Sequence, residues 1–264
     1  VTFMGESAKI LNPDKTVVMA DECADCPMAH MITADRIAEV REEYEDLAVV
    51  CYVNSTAEIK AVSDVCVTSS NAVKVVSNIP QKNIFFVPDN NLGRYVAEKL
   101  PEKHFIFHDG FCHVHKSIHA AELQAAKDAC PDALVLTHPE CTEDVVAMSD
   151  FVGSTSEIID FATQSDCKKF IICTEMGVFF ELQQKNPDKK FYSVGHRQFC
   201  PNMKKVTIDK VEQVLEKLGS GELEEITLSD EILTRAAKPL QRMCWASWRS
   251  EEHTSELQSR GTIS

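Results

Sequence analysis

The run Asn83-Ile84-Phe85-Phe86-Val87 is short and apolar, and a similar run, Lys169-Phe170-Ile171-Ile172-Cys173, lies 86 positions further along the chain. The same shift aligns two further pairs of segments, Ser63-Asp64 with Ser149-Asp150 and Pro101-Glu102-Lys103 with Pro187-Asp188-Lys189. A fixed period of this kind is the signature of a structural unit that occurs more than once. The sequence therefore predicts at least two copies of one supersecondary unit.

Within one period, short apolar runs alternate with segments of helical spacing. Runs typical of strands occupy four segments: Leu47 to Val53, Asp64 to Thr68, Asn83 to Pro88 and His104 to Asp109. Helical spacing occupies Thr56 to Ser63, Asn71 to Ile79 and Leu92 to Leu100, and Ile32 to Tyr44 is the clearest amphipathic helix. Apolar strands that alternate with helices form parallel sheets covered on both faces. We therefore expect an α/β fold built from three-layer α/β/α units.

Three of the eleven cysteines follow the same period. Cys26, Cys112 and Cys200 are 86 and 88 residues apart, and each lies 9 to 11 residues after a Pro-Asp-Lys or Pro-Glu-Lys motif. The first of these motifs begins at Pro13, so we expect three similar units related by a pseudo-threefold axis. Equivalent loops of such units meet at the axis, and the three thiols are therefore predicted to converge there.

The repeat also divides the chain into parts. We predict that residues 1–29 are the remainder of a truncated first unit, completed by residues 201–243. Residues 30–114 and 115–200 are predicted to form the second and third units. We expect a segment to be missing before Val1, because the chain begins within a pattern and without an initiator methionine. Residues 244–264 are expected to be a non-native tail, since RSEEHTSELQS resembles a translated sequencing adapter.

Composition narrows the possible functions. The chain has 264 residues, 44% of them hydrophobic, and a net charge of −14, whereas nucleic-acid binding needs a basic surface. The longest apolar run, of about seven residues, is too short to cross a membrane. Eleven cysteines spread evenly through the chain indicate a reducing compartment rather than a disulfide scaffold. We therefore expect a cytoplasmic protein with neither a nucleic-acid nor a membrane partner.

Three converging thiolates are compatible with several chemistries. Iron–sulfur clusters are held by cysteine thiolates, and a cluster held by three cysteines leaves one iron free to act as a Lewis acid. A zinc site and ordinary buried cysteines are the alternatives. Weaker metal-site candidates are the Cys23-Ala24-Asp25-Cys26 spacing and the histidines beside Cys112, namely His113, His115 and His119. The chain lacks a glycine-rich nucleotide loop, which argues against NAD or ATP as a ligand.

Polar side chains follow the predicted strands at equivalent points of the two full copies. The shift of 86 residues aligns Tyr52 and Asn54 with His138 and Glu140, and Ser69 with Thr155. Open α/β sheets bind ligands at the carboxyl ends of their parallel strands. Tyrosine, histidine and glutamate can exchange protons, whereas asparagine, serine and threonine can hold carboxylate or phosphate oxygens. The sequence therefore predicts a pocket that faces the axis.

Nine segments, spanning about residues 1–243, resemble the quinolinate synthase family in their order and spacing. They are Phe3-Met4-Gly5-Glu6, Cys26-Pro27-Met28-Ala29-His30-Met31, Tyr52-Val53-Asn54-Ser55-Thr56-Ala57-Glu58, Thr68-Ser69-Ser70-Asn71-Ala72-Val73, Asn91-Leu92-Gly93, Gly110-Phe111-Cys112, His138-Pro139-Glu140-Cys141, Gly153-Ser154-Thr155 and Cys200-Pro201-Asn202-Met203-Lys204. The resemblance implies an oxygen-sensitive 4Fe–4S transferase of de novo NAD biosynthesis. Such an enzyme condenses iminoaspartate with dihydroxyacetone phosphate to quinolinate, phosphate and water. The resemblance also implies a functional link between this protein and L-aspartate oxidase.

The resemblance also implies roles for individual residues. The family's cluster ligands fall on Cys26, Cys112 and Cys200. We expect Glu140 to act in acid/base catalysis with Tyr52 and His138 assisting. The positions expected to hold substrate carboxylate or phosphate are Asn54, Ser69 and Thr155.

Two departures from the family affect these expectations. The family's first strand segment, which carries a histidine and a tyrosine near a substrate carboxylate, is absent, so we expect this fragment to bind a cluster better than it turns over. Glu157 stands where the family often has glycine, which would place a carboxylate near a dianionic substrate. Two other functions stay open: another three-cysteine iron–sulfur hydro-lyase, and a non-enzymatic iron–sulfur or zinc sensor. A sensor would not need Tyr52, His138 and Glu140.

Overall fold

The predicted repeat is confirmed by two parallel sheets with the same strand order. A computed structural model describes residues 1–195 and 197–244. One sheet has the order β2-β1-β3-β4, with strands β1 (Leu47–Tyr52), β2 (Val65–Val67), β3 (Asn83–Val87) and β4 (His104–Phe107). The other has the order β6-β5-β7-β8, with strands β5 (Leu134–Thr137), β6 (Phe151–Val152), β7 (Lys169–Cys173) and β8 (Lys190–Ser193). All the strand pairs in both sheets are parallel.

Helices connect the strands, and several of them begin where a side chain caps the first turn. The labelled helices are α1 (Thr2–Leu11), α2 (Ala34–Glu43), α3 (Ala57–Ala61), α4 (Ala72–Ser77), α5 (Asn90–Lys99), α6 (His113–Lys116), α7 (Ala120–Ala129), α8 (Glu143–Val146), α9 (Thr155–Gln164), α10 (Val178–Lys185) and α11 (Ile208–Glu216). Residues 230–244 are also helical. The helix expected from Ile32 begins at Ala34 because the Thr33 hydroxyl accepts the Arg36 N–H and ends the preceding loop.

Each sheet is buried on both faces, as the expected three-layer unit requires. In the first sheet, Val50 and Phe86 pack with Leu92 of α5 on one face. Their neighbours Val49 and Phe85 pack on the other face against α2 and the helical residues 230–244. The second sheet has the same arrangement, with separate apolar clusters on its two faces. Alternate residues of each strand therefore belong to different cores.

The N-terminal and C-terminal parts of the chain contact each other. Val18 and Glu225 form an isolated antiparallel bridge, Lys210 pairs with Asp21, and Lys205 Nζ donates to the Cys23 carbonyl at 2.6 Å. The division into residues 1–29 with 201–243, 30–114 and 115–200 stays a prediction. The expected tail of residues 244–264 lies outside the described residues, except for residue 244. In the described ranges, no helix combines the length and apolar character that a membrane crossing requires.

Candidate functional site

A chain of buried hydrogen bonds joins the carboxyl ends of the two sheets. The Tyr52 hydroxyl, at the end of β1, donates to Glu140 Oε1 at 2.6 Å. Glu140 Oε2 lies 2.9 Å from His115 Nδ1, and His115 Nε2 lies 2.9 Å from the Thr174 hydroxyl just beyond β7. Glu140 is 3% exposed and His115 is 7% exposed. Residues that are far apart in the sequence therefore form one polar centre between the two sheets.

A tight turn after β5 holds the Glu140 carboxylate in place. The His138 N–H donates to the Cys173 carbonyl and continues the β5–β7 ladder, and Cys141 N–H then donates to the His138 carbonyl at 3.0 Å. From the first sheet's side, the Asn91 amide donates to the Glu140 carbonyl at 3.0 Å. The backbone of Glu140 is thereby fixed from both units.

His138 completes the centre as a neutral ring. Its ring stacks on that of His115, with 4.6 Å between centroids, and its Nδ1 accepts the Glu140 N–H at 3.3 Å. Burial and the neighbouring His115 lower the pKa of His138 to about 3, although Glu140 opposes them. His138 is therefore uncharged at neutral pH and retains its proton on Nε2.

Glu140 and Tyr52 are held in opposite protonation states. Burial would raise the pKa of Glu140, but the charge and hydrogen bond of His115, together with the hydrogen bond from Tyr52, lower it below its usual range. Burial and the adjacent Glu140 charge raise the pKa of Tyr52 well above its usual value. At neutral pH the centre therefore contains a carboxylate acceptor and a phenol donor in direct contact.

Each of the three period-related cysteines lies at or just before the start of a short helical turn. Cys26 precedes the 3-10 turn Pro27–His30, Cys112 precedes α6, and Cys200 lies just before the 3-10 turn Met203–Lys205. The backbone N–H groups two and three residues after Cys26 and after Cys112 point at the sulfur and favour its thiolate. All eleven cysteines lie among the described residues, and each is a free thiol.

The backbone N–H of each of these cysteines is held by a carboxylate. Cys112 donates to Asp89 Oδ2 at 3.1 Å, and Cys200 donates to Glu175 Oε1 at 3.2 Å. Asp89 and Glu175 are themselves 86 positions apart, so the repeat uses the same contact in both full copies. The Cys26 N–H is held by Asp25, the residue next to it, at 2.8 Å.

The charges around the cysteines suit a positively charged metal group. Burial raises the pKa of Cys26, and the charges of Glu140 and Cys200 add to it. Burial and the charge of Glu140 likewise raise the pKa of Cys112, and Asp89 adds to this. A cationic iron–sulfur core would reverse these effects because it stabilises thiolates directly. The thiols and their N–H donors therefore fit such a group.

Two of the three expected substrate-binding residues line one cavity of about 390 Å³. Ser69 lies in the loop before α4, and Thr155 is the first residue of α9. Glu157 is not among the residues that line this cavity, and its carboxylate accepts the N–H and the hydroxyl of Ser154, at 2.7 and 2.6 Å, in a capping box. Asn54, the third residue, is half-buried in the turn after β1.

The structure separates the other metal-site candidates. His115 is buried in the centre, whereas His113 and His119 are exposed, and His119 lies 3.4 Å from the Arg197 guanidinium. Cys23, of the Cys23-Ala24-Asp25-Cys26 spacing, is exposed. The three histidines therefore do not form one site. The sequence indicated His115 only as one of three histidines in a possible metal site, and it indicated no role for Thr174. Asp89 and Glu175 were not identified either, although the period of 86 relates them.

The protein is of the α/β class, with two parallel sheets and an enzyme-like acid/base centre. This centre brings a buried carboxylate, a phenol and two imidazoles together beside turns that bear cysteines. The chain belongs to the quinolinate synthetase A protein family, whose model matches residues 1–245. It is 50% identical to the quinolinate synthase of Fusobacterium nucleatum over 243 residues, which cover 92% of this chain and 80% of that protein. The quinolinate synthases of Caldicellulosiruptor saccharolyticus and Clostridioides difficile are 48% and 46% identical, each over 92% of this chain and 79% of the relative.

Proposed function

We propose that the chain is a quinolinate synthase, which condenses iminoaspartate with dihydroxyacetone phosphate to quinolinate with loss of phosphate and water. The observation that supports this most directly is the buried contact between Tyr52 and Glu140 beside Cys112, in a chain whose relatives are named quinolinate synthase. We place this activity in the cytoplasm, in de novo NAD biosynthesis, with L-aspartate oxidase as the source of iminoaspartate. A sensor module needs thiolates alone and leaves this acid/base centre unexplained.

Cys26, Cys112 and Cys200 would hold a 4Fe–4S cluster. When bound, a cluster with three cysteine ligands supplies an iron that can act as a Lewis acid in the loss of water. The protein's part is to present three thiolates from three turns whose backbone is fixed by Asp25, Asp89 and Glu175. The N–H groups that point at Cys26 and Cys112 add stabilisation of thiolate charge.

The acid/base work falls to Glu140 and Tyr52. Glu140 Oε1 is ionised and can accept a proton from a substrate carbon or nitrogen, while the Tyr52 hydroxyl retains a proton that it can donate. Neutral His138 adds a ring N–H for a substrate oxygen. His115 acts as a positioning residue, because its two nitrogens join Glu140 to Thr174 and fix the carboxylate in the centre.

Substrate phosphate or carboxylate is proposed to bind in the cavity lined by Ser69 and Thr155. Their hydroxyls can donate to anionic oxygens, and the first turn of α9 presents its N-terminal end there. Lys185, which also lines the cavity, forms an ion pair with Glu181 at 2.9 Å. Asn54 is proposed to bind the same substrates from the turn after β1.

An anaerobic assay of the reconstituted chain tests this function. We expect quinolinate and phosphate to appear only when both substrates are present. Glu140→Gln is expected to retain the visible iron–sulfur absorption and to lower the rate at least about 100-fold, because the base is lost and the ligands are not. Cys112→Ser is expected to lose both the absorption and the activity. Turnover at the unchanged rate in Glu140→Gln would exclude the proposed acid/base role, and full absorption in Cys112→Ser would exclude the ligand set.

A further inference from the structure

One group of side chains in the described part of the chain has the arrangement of a mononuclear metal site. A sulfur of Cys112, a ring nitrogen of His115 and a carboxylate oxygen of Glu140 all lie within 4.8 Å of one another. Cys112 and His115 are three residues apart at the start of α6, and Glu140 lies in the tight turn after β5. A cation at their centre would therefore be held from both structural units.

The chemistry of these donors suits a divalent cation. Thiolate, imidazole and carboxylate are the three ligand types that zinc uses in proteins, and sites with three protein ligands keep a fourth position for water. One thiolate and one carboxylate carry two negative charges, so a divalent ion makes the group neutral overall. Neutrality matters here because Glu140 and His115 are almost completely buried.

The neighbouring residues already provide outer support for such a site. The Thr174 hydroxyl lies at hydrogen-bond distance from His115 Nε2, so a proton on Nε2 leaves Nδ1 free for a metal. The Tyr52 hydroxyl donates to Glu140 Oε1 and leaves Oε2 available. Binding requires that the 2.9 Å contact between His115 Nδ1 and Glu140 Oε2 opens and that the Nδ1 proton of this contact is replaced by one on Nε2, which the Thr174 hydroxyl accepts. The Cys112 thiol must also release its proton to water.

We propose that Cys112, His115 and Glu140 bind one divalent cation of the zinc type when the chain holds no iron–sulfur cluster. Cys112 is also one of the three proposed cluster ligands, so the two metal groups exclude each other. The cation site requires neither Cys26 nor Cys200, and this difference separates it from the proposed cluster site. A cation bound there also occupies Glu140 and blocks the acid/base centre.

Cobalt(II) is a suitable probe because its visible bands and thiolate charge-transfer band report the ligands directly. The full chain, stripped of iron under anaerobic conditions, is titrated with Co²⁺ and then studied by X-ray absorption. We expect one Co²⁺ per chain, with one sulfur and otherwise nitrogen or oxygen ligands. A spectrum with three sulfurs would place the metal on the three cysteines, and one without sulfur would mean adventitious surface binding; either result overturns the proposal.

Substitutions test the same ligands independently. His115→Ala is expected to weaken Co²⁺ binding at least tenfold, and Thr174→Val, which removes only the outer partner, about 10–100-fold. His113→Ala is the matched control, because His113 is exposed on the same short helix, and it should bind Co²⁺ as the unchanged chain does. Circular dichroism verifies that each variant is folded. Unchanged binding in both His115→Ala and Thr174→Val, or equal loss in His113→Ala, would contradict the assignment.

Two further variants separate this site from the proposed function. Cys26→Ser is expected to bind Co²⁺ normally but to form no stable iron–sulfur cluster. His115→Ala is expected to show the opposite result, with cluster absorption after reconstitution and weak Co²⁺ binding. If Cys26→Ser loses Co²⁺ binding, the cation inference fails while the cluster proposal stands. If Cys26→Ser retains the full cluster absorption, the proposed cluster ligands are wrong while the cation site stands.

Discussion

The Tyr52→Phe substitution removes one hydroxyl from the buried centre and leaves the packing of the ring unchanged. The lost hydrogen bond is short, at 2.6 Å, and its acceptor is the buried carboxylate of Glu140. Hydrogen bonds to charged groups contribute about 1.5–3 kcal/mol, so we expect the free energy of unfolding to fall by about 2 kcal/mol. For a chain of this size, that loss corresponds to a decrease in Tm of roughly 4–8 °C. Denaturant unfolding under anaerobic conditions measures the change in the free energy of unfolding.

Tyr95→Phe is the matched control for this prediction. The Tyr95 hydroxyl donates to the neutral carbonyl of Val152 at 3.4 Å, and the side chain is half-buried. Removal of such a long hydrogen bond should cost about 0.5 kcal/mol. The same pair should differ in activity, with a loss of at least about 100-fold for Tyr52→Phe and little change for Tyr95→Phe. If the two variants lose equal stability, Glu140 is not the buried anion described above.

Three other predictions follow from the site. The pKa of His138 is about 3 in the folded protein and near 6.5 in the unfolded chain, so the unfolded chain takes up a proton first as the pH falls. The free energy of unfolding should therefore fall by up to about 1.4 kcal/mol per pH unit from pH 6.5 toward pH 3. His138→Gln should reduce this slope between pH 6.5 and 5, a range above the ordinary titration of Glu140. Ser154→Ala should lower the free energy of unfolding, measured in urea, by about 1 kcal/mol because α9 loses its N-cap. A loss from Ser154→Ala should also be seen when the substitution is made in a chain whose Glu157 is already replaced. Gln198→Ala should speed amide hydrogen exchange around Cys200 well before it affects global unfolding, because the Gln198 side chain makes three hydrogen bonds that fasten this loop to β7 and Val194; unchanged exchange there would contradict that role.

Much of the fold could be predicted from the sequence because apolar runs repeat at a fixed interval. The interval predicted copies of one unit with a parallel sheet, and the structure has two parallel sheets of the same strand order. Tyr52 ends β1 and His138 directly follows β5, as their alignment by the interval predicts. Exact boundaries could not be predicted, since they depend on caps such as Thr33 and on where each strand finds a partner. The strand expected to reach Asp109 ends at Phe107, where its ladder with β3 ends.

The details of the site were only partly predictable. His113, His115 and His119 are equivalent as residue types, and only the packing of the single-turn helix α6 decides that His115 is the one turned inward. Asp89 and Glu175 could have been found, because they occupy equivalent positions of the repeat and both are acidic. Thr174 could not, since its equivalent in the first full copy is Pro88 and a proline offers no side-chain hydrogen bond.

Thr174 belongs to two networks at once. Its hydroxyl contacts His115, and its carbonyl accepts a hydrogen bond from the side chain of Gln198, two residues before Cys200. Thr174 therefore connects the loop that bears the third cysteine to the imidazole beside Glu140. We therefore expect a metal group that binds Cys200 and orders this loop to restrict the His115 ring as well, because both contacts are made by Thr174.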